Sequence, residues 1–92
     1  MNNGKAIVLH GSEREVFDPM RLHSSIVSAC LSVRAPEGEA QSTAERVCQS
    51  VVGWLGTKNE VTSTDIRLAA SKRLATYHPE AAYMYQNKNM MV

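Results

Sequence analysis

Aromatic residues are scarce in this chain of 92: Phe17, Trp54, Tyr77, Tyr83 and Tyr85 supply 5%. A ring-rich core is excluded, and the interior falls to Val, Ile, Leu, Ala and Met, a palette that suits helices. Cysteine is scarcer still. Cys30 and Cys48 stand alone, 18 residues apart, which excludes a disulfide framework and a zinc ribbon and leaves two reduced core thiols as the expectation. No apolar run approaches the roughly 18 residues that span a bilayer. The opening Met1-Asn2-Asn3-Gly4-Lys5 also lacks the h-region of a secretory signal. A soluble cytoplasmic protein, with no membrane partner, is expected. Charge of one sign is missing too: ten Lys/Arg against nine Asp/Glu give +1. That excludes a protein that works by neutralising many phosphates through bulk charge, so direct nucleic-acid binding is not expected. Catalytic signatures such as GxSxG, HExxH, an EF-hand loop or paired CxxC are absent, and no enzyme active site is expected. His10, His23 and His78 share no metal-ligand spacing with the cysteines, so no metal site is expected either. The length excludes a two-lobed enzyme and fits a single domain over 1–92, with 1–5 as a flexible lead.

What is present is ordinary globular material, 43% apolar and 21% charged, enough to bury a core. The run Ala6-Ile7-Val8-Leu9, a turn through Gly11 and the stretch Arg14-Glu15-Val16-Phe17 read as a β-hairpin. Asp18-Pro19 is a strong helix start, with Asp as N-cap and Pro at the first helical position. Leu22, Ile26, Ala29, Cys30 and Val33 then repeat at helical spacing to about Val33. Pro36 and Gly38 break the pattern. Ser42-Thr43-Ala44-Glu45 has the form of a capping box that opens a second helix, with Val47, Cys48, Val51, Trp54 and Leu55 as its stripe and Gly56 as its C′ residue. Val61 suggests a third short strand. A third helix follows from the caps in 62–65 through Thr76, with Ile66, Ala69, Ala70, Leu74 and Tyr77 inward. His78-Pro79-Glu80 starts a fourth that runs to the C-terminus. The fold class is therefore α+β, mainly helical: a small hairpin or three-stranded sheet packed on about four helices.

Two features invite a ligand. Gly53-Trp54-Leu55-Gly56-Thr57-Lys58 is shaped like a phosphate loop, but a Walker A has four residues between its glycines, and Trp54 and Leu55 belong to the buried stripe. It reads as a helix end. Arg73 falls between Ala70 and Tyr77 on the apolar side of the third helix, where it either snorkels along that surface or holds an anion. The start of the first helix, beside the hairpin and with Arg21 in its early turns, forms an anion-binding corner.

Order and residue types then converge on a family. The series begins with a short strand, a turn, and Arg14-Glu15-x-Phe17-Asp18-x-x-Arg21-Leu22. It continues through a helix with Ile26 and Ala29-Cys30, then Glu60-Val61-Thr62-Ser63-x-Asp65-Ile66, and closes on His78-Pro79-Glu80. Over roughly residues 6–90 the chain resembles the ATP-cone, the regulatory nucleotide-binding domain of ribonucleotide reductase large subunits and of the repressor of their genes. The resemblance implies a ligand, ATP or dATP with or without Mg2+, bound between the sheet and the helix starts, and no catalytic cofactor. It implies a nucleotide site at Val8, Leu9, His10, Glu15, Asp18, Arg21, Ser63 and Arg67. Arg21 takes the place of a phosphate-binding Lys, Ser63 that of the Thr or Ser beside the base, and Arg67 that of an Asp or His near the nucleotide.

The chain departs from the family at the turn that carries Lys-Arg-Asp-Gly, where it has Leu9-His10-Gly11-Ser12. One cation is gone and the other is a histidine, largely neutral at pH 7. The family's last basic contact falls near or beyond Val92. Two functions follow as expectations: an allosteric or assembly-controlling adenine-nucleotide module, or a degenerate cone kept as an interaction or oligomerisation module. The partners implied are a ribonucleotide reductase subunit or a second copy. Tyr83, Met84, Tyr85, Met90 and Met91 are the candidate contact surface on the fourth helix.

Overall fold

A computed structural model describes residues 7–87. Its elements run β1 (Ile7–His10), β2 (Glu13–Val16), α1 (Pro19–Ser32), α2 (Glu37–Leu55), β3 (Glu60–Thr62), α3 (Ser63–Tyr77) and α4 (Pro79–Asn87). The architecture is mainly helical α+β. Residues 1–5, Met90 and Met91 lie outside the described residues. No helix among those described is long and apolar enough to cross a membrane.

The sheet is ordered β2-β1-β3, with β2 antiparallel and β3 parallel to the central strand. Gly11 makes the hairpin turn at φ 63, a conformation open to glycine without a Cβ clash. Val8 pairs with Glu15 on one side and Val61 on the other. Val8 and Val61 are buried in the core cluster that the helices complete. Side chains alternate along a strand, so Ile7 and Leu9, half-buried, share the outer face with Val16, Arg14, Glu60 and Thr62. There Arg14 of β2 reaches across β1 to the Glu60 carboxylate of β3, a clasp over an otherwise apolar strand.

Helix α1 starts where Asp18 accepts the Met20 N–H at 3.0 Å, with Pro19 in its first turn. It buries Leu22, Ile26, Ala29 and Cys30. The end is a Schellman motif: the Ala35 N–H donates to the Cys30 carbonyl at 3.1 Å and the Arg34 N–H to the Leu31 carbonyl at 3.0 Å. Arg34 holds the left-handed position at φ 67, where glycine is usual and a Cβ is crowded.

Helix α2 begins five residues before the expected Ser42. Pro36 (φ −60) is its N-cap residue, and its carbonyl accepts the Ala40 N–H at 2.9 Å. The expected capping box is interior to the helix, and Thr43 is buried. Proline is excluded from helix interiors but not from helix starts, and Glu37 and Glu39 favour the positive end of the dipole. The extra turn seats Ala40 and Ala44, both fully buried. Gly56 is the C-cap at φ −61, in the right-handed region, so it ends the helix without the left-handed geometry expected of a C′ glycine. Trp54 is half-buried at the edge of the core.

Helix α3 opens on a capping box: Thr62 Oγ1 accepts the Asp65 N–H and Asp65 Oδ2 accepts the Thr62 N–H, both at 3.0 Å. Ile66, Ala69, Ala70, Ser71 and Leu74 face inward. Tyr77, expected with them, is 49% exposed. It is the last residue of α3, and α4 starts two residues on, filling the core with its own Ala81, Ala82 and Tyr85. Arg73 settles as the snorkelled alternative. Its guanidinium lies 5.8 Å from the Trp54 ring centroid, with Nε donating to Ser50 Oγ at 2.7 Å and Nη1 to the Ala69 carbonyl at 3.0 Å.

Fully buried alanines at 29, 40, 44, 70 and 81 let the helices approach closely, around Ile26, Val47, Val51 and Leu74. The cysteines are separate core thiols, both free and buried. Cys48 Sγ contacts the Pro19 carbonyl at the start of α1 at 3.6 Å, whereas Cys30 is eleven residues further along that helix, about 16 Å away and far beyond disulfide reach.

The αL arginine yields a test. Arg34→Gly relieves the strained C′ position and should raise stability by about 0.5–1 kcal/mol, read as a higher midpoint in urea unfolding with an unchanged slope. A lower midpoint would mean that the Arg34 side chain contributes more than its backbone strain removes.

Candidate functional site

The residues of interest gather where the inner face of the sheet meets the starts of α1 and α3. Glu15 pairs with the buried Val8, and its Oε1 lies 3.7 Å from Arg21 Nη1 on the first turn of α1. Both side chains are exposed. Asp18 spends one carboxylate oxygen on the cap of that helix. On the other side of β1, β3 passes into α3 without a loop, which sets Ser63 at the first position of the helix and Arg67 one turn in, both half-buried. Val8, Glu15, Asp18, Arg21 and Ser63 are thus held by the sheet and two helix starts. Leu9 is not among them, because it alternates to the outer face opposite Arg14 and Thr62. His10 is the last residue of β1, in register with Glu13.

The charge of Arg67 acts on buried Tyr85 of α4: burial pushes the phenol up to about 12, with Arg67 opposing the rise and Cys48 adding to it. Burial alone pushes the Cys48 thiol up to about 11, and that thiol touches the Pro19 carbonyl at the N-terminus of α1. Tyr85 and Cys48 are buried in the same core cluster, a placement that sequence patterns do not reveal, since both look like ordinary stripe residues 37 positions apart. Burial also raises the Cys30 pKa, with the Glu39 charge adding to the effect.

The two cations of the corner differ in their partners. Arg21 already has Glu15. Among the described residues the ion pairs are Arg14 with Glu60 and Arg21 with Glu15, and no carboxylate lies within 4.0 Å of Arg67. Chemically, the corner offers a half-buried guanidinium, an exposed guanidinium on a weak tether, free amides at two helix starts, and a hydroxyl at Ser63. Such a set suits an anion bearing hydrogen-bond acceptors. Among the described residues no group of three or more His, Cys, Asp or Glu is placed to hold a metal ion.

No family model, curated protein or solved structure matches this chain.

The buried phenol and thiol carry a pH signature. Each is neutral when protonated, and its folded pKa lies above the ordinary value, so its contribution is complete at neutral pH. Stability then falls as pH rises from the ordinary values, 9.0 for the thiol and 10.0 for the phenol, through about 11 and about 12. The expected loss is about 2–3 kcal/mol for each group. Denaturant unfolding between pH 7 and 12 checks this, with Tyr85→Phe expected to flatten the upper part of the decline. An equal slope in that variant would place the alkaline sensitivity elsewhere.

Proposed function

We propose that the chain is a regulatory module that binds an adenine nucleotide, ATP or dATP, at the corner between the sheet and the starts of α1 and α3. The observation that carries this reading is Arg67, half-buried and with no carboxylate within 4.0 Å among the described residues. A guanidinium in that setting favours an incoming anion. Arg21 and the helix N-termini supply further positive potential. Ser63 offers a hydrogen bond, and Val8 an apolar wall. The resemblance to the ATP-cone adds adenine and a triphosphate to this general anion chemistry, and names ribonucleotide reductase or its gene control as the regulated system.

Because Leu9 replaces a lysine and faces outward, the phosphates depend on Arg21 and Arg67. A charge-assisted contact is worth ~1.5–3 kcal/mol, so a site with fewer cations binds more weakly than one with the full turn. Nucleotide binding does no chemistry here. Its free energy acts by favouring one assembly or partner state over another.

A second reading has its own support. Arg21 is already engaged by Glu15, which lowers its availability to phosphate and fits a cone retained as an interaction module.

Titration with ATP and dATP by calorimetry, with NMR shifts mapped on the chain, separates the two. Saturable binding with shifts at Val8, Ser63 and Arg67 is expected. Arg21→Ala and Arg67→Ala should each weaken it by tenfold or more. Arg21, with a side chain 64% exposed, should leave the melting temperature unchanged when replaced. No saturable change up to millimolar nucleotide favours the interaction module, and unchanged affinity in both variants moves the site elsewhere.

A further inference from the structure

The glycine-flanked turn over 53–58 and Arg73 have no part in the sheet corner, and the fold brings them together. Lys58 Nζ lies 5.6 Å and Arg73 Cζ 5.8 Å from the centroid of the Trp54 ring. Trp54 is half-buried at the edge of the core, so one indole carries two cations. Contact with the ring offsets part of the cost of gathering like charges and cancels neither of them.

Snorkelling fixes where the Arg73 stem lies and leaves open what its charge meets. Nε is spent on the Ser50 hydroxyl and an Nη1 donor on the Ala69 carbonyl, both neutral partners, and Nη2 has no hydrogen-bond partner among the described residues. Lys58 Nζ has none either. Among the described residues the ion pairs are made by Arg14 and Arg21, so no carboxylate lies within 4.0 Å of Lys58 or Arg73.

The backbone of the turn is already committed. The Thr57 N–H donates to the Trp54 carbonyl at 3.1 Å and the Lys58 N–H to the Leu55 carbonyl at 2.9 Å. A phosphate loop binds through such amides; here the capacity for an anion rests on two side chains. Their surroundings keep it positive. Stretches 46–59 and 66–79, through the second half of α2 and most of α3, hold Arg46, Lys58, Arg67, Lys72 and Arg73 and contain no Asp or Glu. The potential there is positive although the whole chain carries only +1.

Charge and shape select the ligand class. Two unpaired cations match a dianion, and the free edge of a guanidinium accommodates oxygens of one group side by side. A phosphoryl group, with about −1.5 to −2 charges at pH 7 and several acceptor oxygens, meets both demands. A carboxylate meets only the second.

We infer that Lys58 and Arg73, gathered on Trp54, form an anion site of their own, selective for a phosphoryl dianion carried by free phosphate or by a phosphorylated side chain. Arg73 stands six residues beyond Arg67, about 9 Å along α3 and on another side of that helix. The site is therefore separate from the nucleotide corner and stands without it.

Trp54 is the one tryptophan of the chain, so its fluorescence reports on the site directly. Titration of the full chain with inorganic phosphate to about 50 mM, at constant ionic strength against chloride, should give a saturable change with a millimolar midpoint. Acetate should give none. Lys58→Gln should weaken binding by about fivefold or more, with circular dichroism unchanged because Lys58 is exposed. Arg73→Lys, which keeps the charge and loses the fork, should weaken it by about threefold or more. Arg67→Ala should leave the midpoint where it is. A phosphoserine peptide that binds more tightly than inorganic phosphate places the dianion on a protein partner, and equal or weaker binding assigns the site to free phosphate. The inference is overturned by the lack of a saturable change, by a response that acetate reproduces, or by a midpoint indifferent to Lys58→Gln. Loss of the response in Arg67→Ala overturns it too, since the phosphate would then sit at the corner.

Discussion

Thr62 ends β3 and caps α3, and this double role joins the sheet to the helices. Its backbone lies in parallel register with Leu9, while its hydroxyl and amide close the capping box with Asp65. With no loop between strand and helix, the register of β3 dictates where α3 begins. The placement of Ser63 and Arg67 follows from that. Burial of Val8 and Val61 then holds β1 and β3 against the helices, since a shift of one residue would turn both valines to solvent.

Beneath this junction, a polar neighbourhood is built largely from apolar-looking residues. The start of α1 is fixed on the outside by the Asp18 cap and on the inside by Cys48 against the Pro19 carbonyl. Tyr85 and Cys48 are buried in one core cluster, and the Arg67 charge opposes the rise that burial gives the Tyr85 phenol. Arg67 itself lies one turn into α3, near a helix N-terminus that disfavours positive charge without an anion. The same α4 that buries Tyr85 leaves Tyr83 67% exposed.

Three other arginines show how strongly context governs one residue type. Arg73 lies along Trp54 and ties α3 to α2 through Ser50. Arg14 bridges the outer face of the sheet to Glu60, and Arg34 occupies a glycine-like backbone position. Their charges are equal. What differs is the surface that each stem crosses and the partner at its end.

Features set by nearest neighbours were legible in the sequence. The Asp18-Pro19 start, the caps at Thr62 and the break at His78-Pro79 depend on a few adjacent residues satisfying backbone groups, and the buried stripes of α1 and α3 follow from a 3.6-residue period. Strand alternation separates Leu9 from Val8 by the same local logic. The start of α2 was not legible, because Pro36 and Gly38 locally resemble a break and only the burial of Ala40 and Ala44 against neighbouring helices makes the earlier turn worthwhile. Tyr77 departs from its period for a related reason: the 3.6-residue repeat points it inward, but α4 occupies the core in its stead. The approach of Cys48 to Pro19, and the burial of Tyr85 with Cys48 in one cluster, belong wholly to the tertiary structure. Such contacts depend on how four helices pack, and that packing is settled by close approach at alanines that no local pattern distinguishes from surface ones.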